Sequence, residues 1–243
     1  MKYIISFLLT LTAATCLAGQ SVSYTVGTMT YEGYMEQAGE NAPLVLLLHD
    51  WDGLTDYEVK RAGMLAKHGY NVFAADLFGA GVRPVTVEKK RQLTKELYQD
   101  REKMRTLING AMVAAGDEGL YRDNNAVAIG YCFGGAAVLE YARSGADLKG
   151  FVTFHGTLAT PPGQNYEKAK GSYLILHGTA DQSVTMEQFA ELADQLEQND
   201  LDHEMISYGG APHAFTVFGS ERYHKDADRK SWQRLLQFLS ETL

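Results

Sequence analysis

Asn124-Asn-Ala-Val-Ala-Ile-Gly-Tyr-Cys-Phe-Gly-Gly-Ala-Ala-Val-Leu-Glu-Tyr-Ala-Arg143 is the stretch on which the reading of this chain turns. Ala126 to Ile129 is an apolar run of strand length, and a helical pattern opens at Phe133. Between them lies Gly130-x-Cys132-x-Gly134. Glycine at both outer positions lets the strand and helix backbones approach closely. The residue between them must then take a strained conformation that pushes its side chain out at the end of the sheet. Here that side chain is a thiol, at the positive end of a helix dipole, where negative charge is favoured. Taken alone, the turn fits equally well with a small, buried, inert cysteine.

The flanking sequence supplies more strands and helices in alternation. Upstream, Ser21 to Gln37 alternates apolar and polar residues around Gly27, the pattern of two antiparallel edge strands. Ala42 to Leu48 is nearly continuous in apolar residues, as expected for a strand buried on both faces. A helix over Asp56 to His68, a strand over Asn71 to Leu77 and a Gly/Pro loop over Phe78 to Pro84 follow. The charged stretch Glu88 to Arg105 divides near Gln99-Asp100 into two helices, the second reaching about Ala115. Arg101 and Arg105 on it are candidates for meeting an anionic group, although charges at helical spacing ordinarily form a solvated face. Downstream come strands at Lys149 to His155, Tyr173 to His177 and His203 to Tyr208, a helix over Thr185 to Asn199 and a closing helix over Ala227 to Leu243. This order predicts an α/β fold: a doubly wound, mostly parallel sheet with helices on both faces and antiparallel N-terminal edge strands.

With 243 residues, 45% hydrophobic and 21% charged, the chain is large enough for one domain with a substantial core. Its net charge of -8 and the lack of a basic run argue against nucleic acid as a partner. Met1-Lys2, an apolar run to Ala14 and small residues to Ala18 have the layout of a secretory signal peptide, and the run is too short for a stable membrane span. The expected organisation is therefore a signal peptide over 1–18 and a single domain over 19–243, exported to the periplasm or medium of a bacterium. Cleavage after Ala18 removes Cys16 and leaves Cys132 as the only thiol. An unpaired cysteine in an oxidising compartment invites the reading of a reactive group.

In a parallel sheet, ligands bind at the C-terminal ends of the strands. That rule selects His49, Asp50, Trp51, Asp76, Cys132, His155, His177 through Asp181, and the loop holding His213. A cysteine nucleophile needs an imidazole to move its proton, and the imidazole needs a carboxylate to fix its tautomer. Cys132, Asp181 and His213 supply those groups in the chain order nucleophile, acid, histidine. An accidental match would require a solvated loop carboxylate, a loop histidine and an inert thiol all to fall at strand ends.

The motifs His49-Asp-Trp-Asp-Gly53, Ala75-Asp-Leu-Phe-Gly79, Gly130-Tyr-Cys-Phe-Gly-Gly135, Leu176-His-Gly-Thr-Ala-Asp181 and Pro212-His-Ala-Phe215 together resemble the dienelactone hydrolases (carboxymethylenebutenolidases) of the α/β-hydrolase fold. The resemblance runs from about Ala42 to the C-terminus. It implies a hydrolase of small esters or lactones that needs no cofactor or metal, with Cys132 as nucleophile, His213 as base and Asp181 as its partner. It also implies an oxyanion hole from the amides of Phe133 and Trp51, and a thioester acyl-enzyme. Two positions depart from the family pattern. Asp50 stands where a glutamate contacts the resting cysteine, and Val217 where an arginine holds the carboxylate of dienelactone.

Two rival readings remain open on sequence. His49, His155 and His177 with Asp50, Asp52 or Asp76 would suit a metal-dependent hydrolase, imidazole and carboxylate being zinc ligands. A non-catalytic binding protein on a hydrolase scaffold is the other, since fold alone does not fix function.

Overall fold

A computed structural model describes residues 19–122 and 124–243. The expected signal peptide lies outside the described residues. Eight strands form one sheet in the order β1-β2-β4-β3-β5-β6-β7-β8. Strands β1 (Gln20–Val26) and β2 (Met29–Glu36) make the antiparallel edge hairpin, and β2 pairs antiparallel with β4 (Asn71–Ala75). From β4 onward every pairing is parallel, through β3 (Leu44–Leu48), β5 (Ala126–Tyr131), β6 (Gly150–Phe154), β7 (Ser172–Gly178) and β8 (His203–Tyr208).

Hydrophobic alternation in β3 shows why a continuous apolar run was required. Leu44, Leu46 and Leu48 belong to the core on one face, Val45 and Leu47 to the core on the other, and all five are fully buried. Burying each such side chain is worth about 1.5–3 kcal/mol. Helices α1 (Asp56–Ala66) and α6 (Lys225–Thr242) cover one face. The opposite face is covered by α2 (Val87–Gln99), α3 (Arg101–Asp117), α4 (Phe133–Arg143) and α5 (Met186–Gln198).

Local chemistry sets the element ends. Thr55 and Glu58 form a reciprocal capping box at the start of α1. Asp100 ends α2 and caps α3 through the Lys103 amide, which places the break at the expected position. Strand β4 stops at Ala75, two residues before the expected end, because the Asp76 carboxylate turns the chain by accepting the amides of Phe78 and Gly79. The connection after β3 runs to β4 on one side, and the connection after β5 runs to β6 on the other. The carboxyl ends of β3 and β5 are thus neighbours at a topological switch point, where the crevice of such a sheet opens.

Candidate active site

Cys132 sits between β5 and α4 with φ 53° and ψ -111°, a left-handed region that a non-glycine residue enters only when its surroundings enforce it. The enforcement is visible on both sides. A Cβ on Gly130 would run into the Gly134 backbone, and one on Gly134 would run into the carbonyls of Leu48 and His49. The Cys132 amide is tied to the Phe154 carbonyl at 3.0 Å. Helix α4 starts at Phe133, whose N–H belongs to the first turn and so has no acceptor within the helix.

The other two members of the predicted triad come to the thiol from separate loops. His213, between β8 and α6, places Nε2 3.2 Å from Cys132 Sγ. Its Nδ1 lies 2.7 Å from Asp181 Oδ2, and Asp181 occupies the loop between β7 and α5. These loops are laced together, since the Ala180 amide reaches the Ala211 carbonyl at 3.0 Å and the Gly210 amide reaches Thr179 Oγ1 at 2.9 Å. Asp181 Oδ1 accepts the amides of Ser183 and Val184 at 2.8 and 2.9 Å, which leaves Oδ2 for the imidazole.

Electrostatics follow from this geometry. Burial alone would depress the His213 pKa, but the hydrogen bonds to Asp181 and Cys132 outweigh it and push the pKa up to about 10. For Asp181, burial opposes ionisation, yet the His213 contact and the two amides hold its carboxyl below the usual range.

Asp50, Trp51, Cys132, His213 and Val217 line one cavity of about 480 Å³. Val217 thus faces the cavity without a charge. Lys90, Arg91 and Arg222 also line it, and no sequence motif marked them. Lys90 is engaged with Asp52 at 2.6 Å. Asp50 Oδ1 accepts the Asp52 amide at 2.7 Å, while the thiol is paired with His213. Burial pushes Asp50 up to about 6, partly offset by the Asp52 amide.

The strand-end histidines do not converge. His49 Nδ1 lies 2.6 Å from the Asp50 carbonyl and its Nε2 accepts the Leu77 amide at 3.1 Å, which fixes a neutral tautomer inside the fold. His155 Nε2 contacts Thr216 Oγ1 at 2.8 Å, and the Asp76 carboxylate is committed to the turn after β4. Among the described residues no three His, Cys, Asp or Glu side chains are grouped as metal ligands. Arg101 and Arg105, expected first as solvated helix charges and only secondarily as candidates for an anionic group, point instead to the buried Glu140, at 3.7 and 3.6 Å.

The dienelactone hydrolase family model matches residues 30–243. The chain belongs to the dienelactone hydrolase family. It is accordingly a hydrolase of ester or lactone bonds with a small-molecule substrate. Among curated proteins, it is 26% identical over 211 residues to a Yersinia pestis protein named "Putative carboxymethylenebutenolidase", covering 82% of this chain and 78% of that one. The solved structure named m3DLH is 30% identical with a TM-score of 0.86, covering 93% of this chain and 98% of that one. A dienelactone hydrolase-like promiscuous phosphotriesterase from metagenomic libraries is 29% identical with a TM-score of 0.85, covering 92% of this chain and 98% of that one. No helix among the described residues is long and apolar enough to cross a membrane.

Proposed function

We propose that this family member is an exported hydrolase that cleaves small esters or lactones through Cys132, His213 and Asp181. The observation that carries the reading is the continuous contact from Sγ to Nε2 and from Nδ1 to Oδ2, at 3.2 and 2.7 Å. In the reaction, the Cys132 thiolate adds to the carbonyl carbon, and the amides of Phe133 and Trp51 stabilise the negative oxygen. Protonated His213 gives its Nε2 proton to the leaving alkoxide as the carbon–oxygen bond breaks, leaving a thioester. With a lactone substrate the alcohol stays tethered to the acyl group. Neutral His213 then takes a proton from water, the hydroxide adds to the thioester, and the thiolate departs with its electron pair. Asp181 holds Nδ1–H in place and balances the imidazolium charge.

A panel of short acyl p-nitrophenyl esters, small neutral lactones, an anionic dienelactone and a neutral phosphotriester tests the substrate class. Val217 in the cavity wall predicts that dienelactone gains no advantage over the neutral esters and lactones, and a preference for dienelactone would assign its carboxylate to Arg91 or Arg222 of the same cavity. His213→Ala should lower kcat by roughly a thousandfold or more. One equivalent of iodoacetamide should label Cys132 and abolish turnover. Full activity after stoichiometric labelling removes the cysteine nucleophile. Export rests on the N-terminal sequence pattern. Intact mass of the protein recovered from a bacterial periplasm should correspond to a start at Gly19, and retention of residues 1–18 without lipid refutes it.

A further inference from the structure

Behind His213, α1 and the end of β6 converge on one residue of its loop, and α6 backs them through Arg61. Ala214, directly after the histidine, has φ 61°, a left-handed conformation that a residue with a Cβ holds only under constraint. Thr216 supplies the constraint. It is fully buried, and its Oγ1 lies 2.7 Å from Tyr57 Oη and 2.8 Å from His155 Nε2. Its carbonyl accepts Arg61 Nη2 at 2.9 Å. Tyr57 and Arg61 lie on α1, and His155 lies at the end of β6. Arg61 is itself buried and ion-paired with Asp228 of α6. The His213 loop is therefore pinned between α1, α6 and the sheet at a point three residues from the imidazole.

The network has one fixed donor. A guanidinium can only donate, and Arg61 Nε donates to Tyr57 Oη at 3.2 Å. Tyr57 Oη and Thr216 Oγ1 share one hydrogen bond and Thr216 Oγ1 and His155 Nε2 share another, so the Thr216 hydroxyl joins α1 to the end of β6. Burial, with His213 and Arg61 nearby, disfavours the charged form of His155. The His155 ring stands edge-on to the His213 ring, with centroids 5.4 Å apart. A charge on His155 would repel the imidazolium that the proposed reaction requires of His213. Other titratable groups facing His213 are Asp181 and His177 from the end of β7, Cys132 from the elbow and Asp50 from the loop after β3.

We propose that Thr216 is a positioning residue, whose hydroxyl locks the His213 loop against α1 and the end of β6 beside a neutral His155, so that His213 alone carries the proton taken from Cys132. This rests on the reading of Cys132 and His213 as nucleophile and base. Thr216→Val keeps the side-chain shape and removes the hydroxyl; Thr216→Ser keeps the hydroxyl. Misplacing a reacting group by about 1 Å from a distance can cost on the order of a hundredfold in rate. Thr216→Val should therefore lower kcat per titrated active site by about tenfold or more, with KM changed by less than about threefold. Looser contacts to Asp181 and Cys132 also remove what raises the His213 pKa. The alkaline limb of kcat/KM should thus move down by about half a pH unit or more. Thr216→Ser should restore both the rate and the limb.

Tyr57→Phe, which removes the α1 partner of the Thr216 hydroxyl and leaves Thr216 in place, should move the alkaline limb in the same direction. It serves as the decisive variant if Thr216→Val does not fold. If Thr216→Val merely melts at lower temperature, while kcat per site and the pH profile match wild type, the positioning role is overturned. His213→Ala, measured beside them, separates the two levels of argument. Should it turn over at the wild-type rate, the base assignment and the Thr216 role both fail. Should it lose activity while Thr216→Val and Tyr57→Phe do not, only the Thr216 role fails.

Discussion

Replacing Asp181 by asparagine keeps the shape of its side chain and removes its charge, and the geometry predicts that Asp181→Asn is more damaging than Asp181→Ala. Asp181 Oδ1 accepts two backbone amides, so an asparagine there keeps its carbonyl oxygen on the Ser183 and Val184 amides. Its NH2 group is then turned towards His213 Nδ1, at the position where Oδ2 stands 2.7 Å away. A donor now faces a donor. The ring escapes the clash by moving its proton to Nε2, where it can no longer accept one from Cys132. Alanine removes the charge without imposing that tautomer. Losing a hydrogen bond to a charged group costs about 1.5–3 kcal/mol, which is roughly ten- to a hundredfold in rate. That loss is expected for Asp181→Ala, and Asp181→Asn should approach a loss of about 10⁴-fold, as in other triads with the wrong tautomer. Alanine also leaves the two amides without their acceptor, so it should be the less thermally stable variant. Single-turnover and steady-state hydrolysis of a p-nitrophenyl ester, normalised to titrated Cys132, gives the comparison. If the asparagine variant is as fast as the alanine variant or faster, the tautomer argument is wrong.

Gly134→Ala should distort the elbow and lower stability by about 1–3 kcal/mol or more, because the new Cβ meets the fixed carbonyls of Leu48 and His49; thermal unfolding and ester turnover both report it. Glu140 is buried and accepts Arg143 Nη2 at 3.2 Å and Gln164 Nε2 at 3.1 Å, so Glu140→Ala strands a buried cation. Urea titration should show a loss of about 3–5 kcal/mol, with kcat of the folded protein close to wild type. Raising the pH should remove stability that His213 contributes. Its folded pKa of about 10 exceeds the ordinary 6.5, so the contribution is complete below 6.5 and lost as pH rises through about 10. Denaturation of wild type and His213→Ala at pH 6, 8 and 10 should show the gap between them closing, and a constant gap contradicts the assignment. Asp181 has the opposite sign, contributing above its ordinary pKa of 3.8 and losing that contribution as the pH falls through its lower folded value.

Strand ends made the candidate site legible. Once the apolar runs at Leu44–Leu48, Ala126–Tyr131 and Ser172–Gly178 and the more polar strand His203–Tyr208 are placed in one parallel sheet, their following residues share an edge. That edge also carries His49, Asp76, His155 and His177, and the chain order nucleophile, acid, histidine is what singles out Cys132, Asp181 and His213 among them. The turn at Gly130 and Gly134 was legible for a related reason, since close backbone approach leaves a signature in the residue types themselves. Long-range polar pairing leaves no such signature. Arg61 sits among Lys, Glu and Asp on α1 and reads as one more solvated charge, yet it is 1% exposed and reaches Thr216 and Asp228 across more than 150 residues. Arg101 and Arg105 mislead in the same way, because periodicity places them on a helix face but cannot say that Glu140 lies opposite. Asp50 shows the limit at single-atom scale. Its position after β3 brings it to the cavity, but the amide of Asp52, two residues on, decides where one of its oxygens points. Patterning therefore determines which side chains arrive at the crevice. The buried polar network behind them determines how each is held, and in this fold that network runs through Thr216, a residue whose sequence context gives no hint of it.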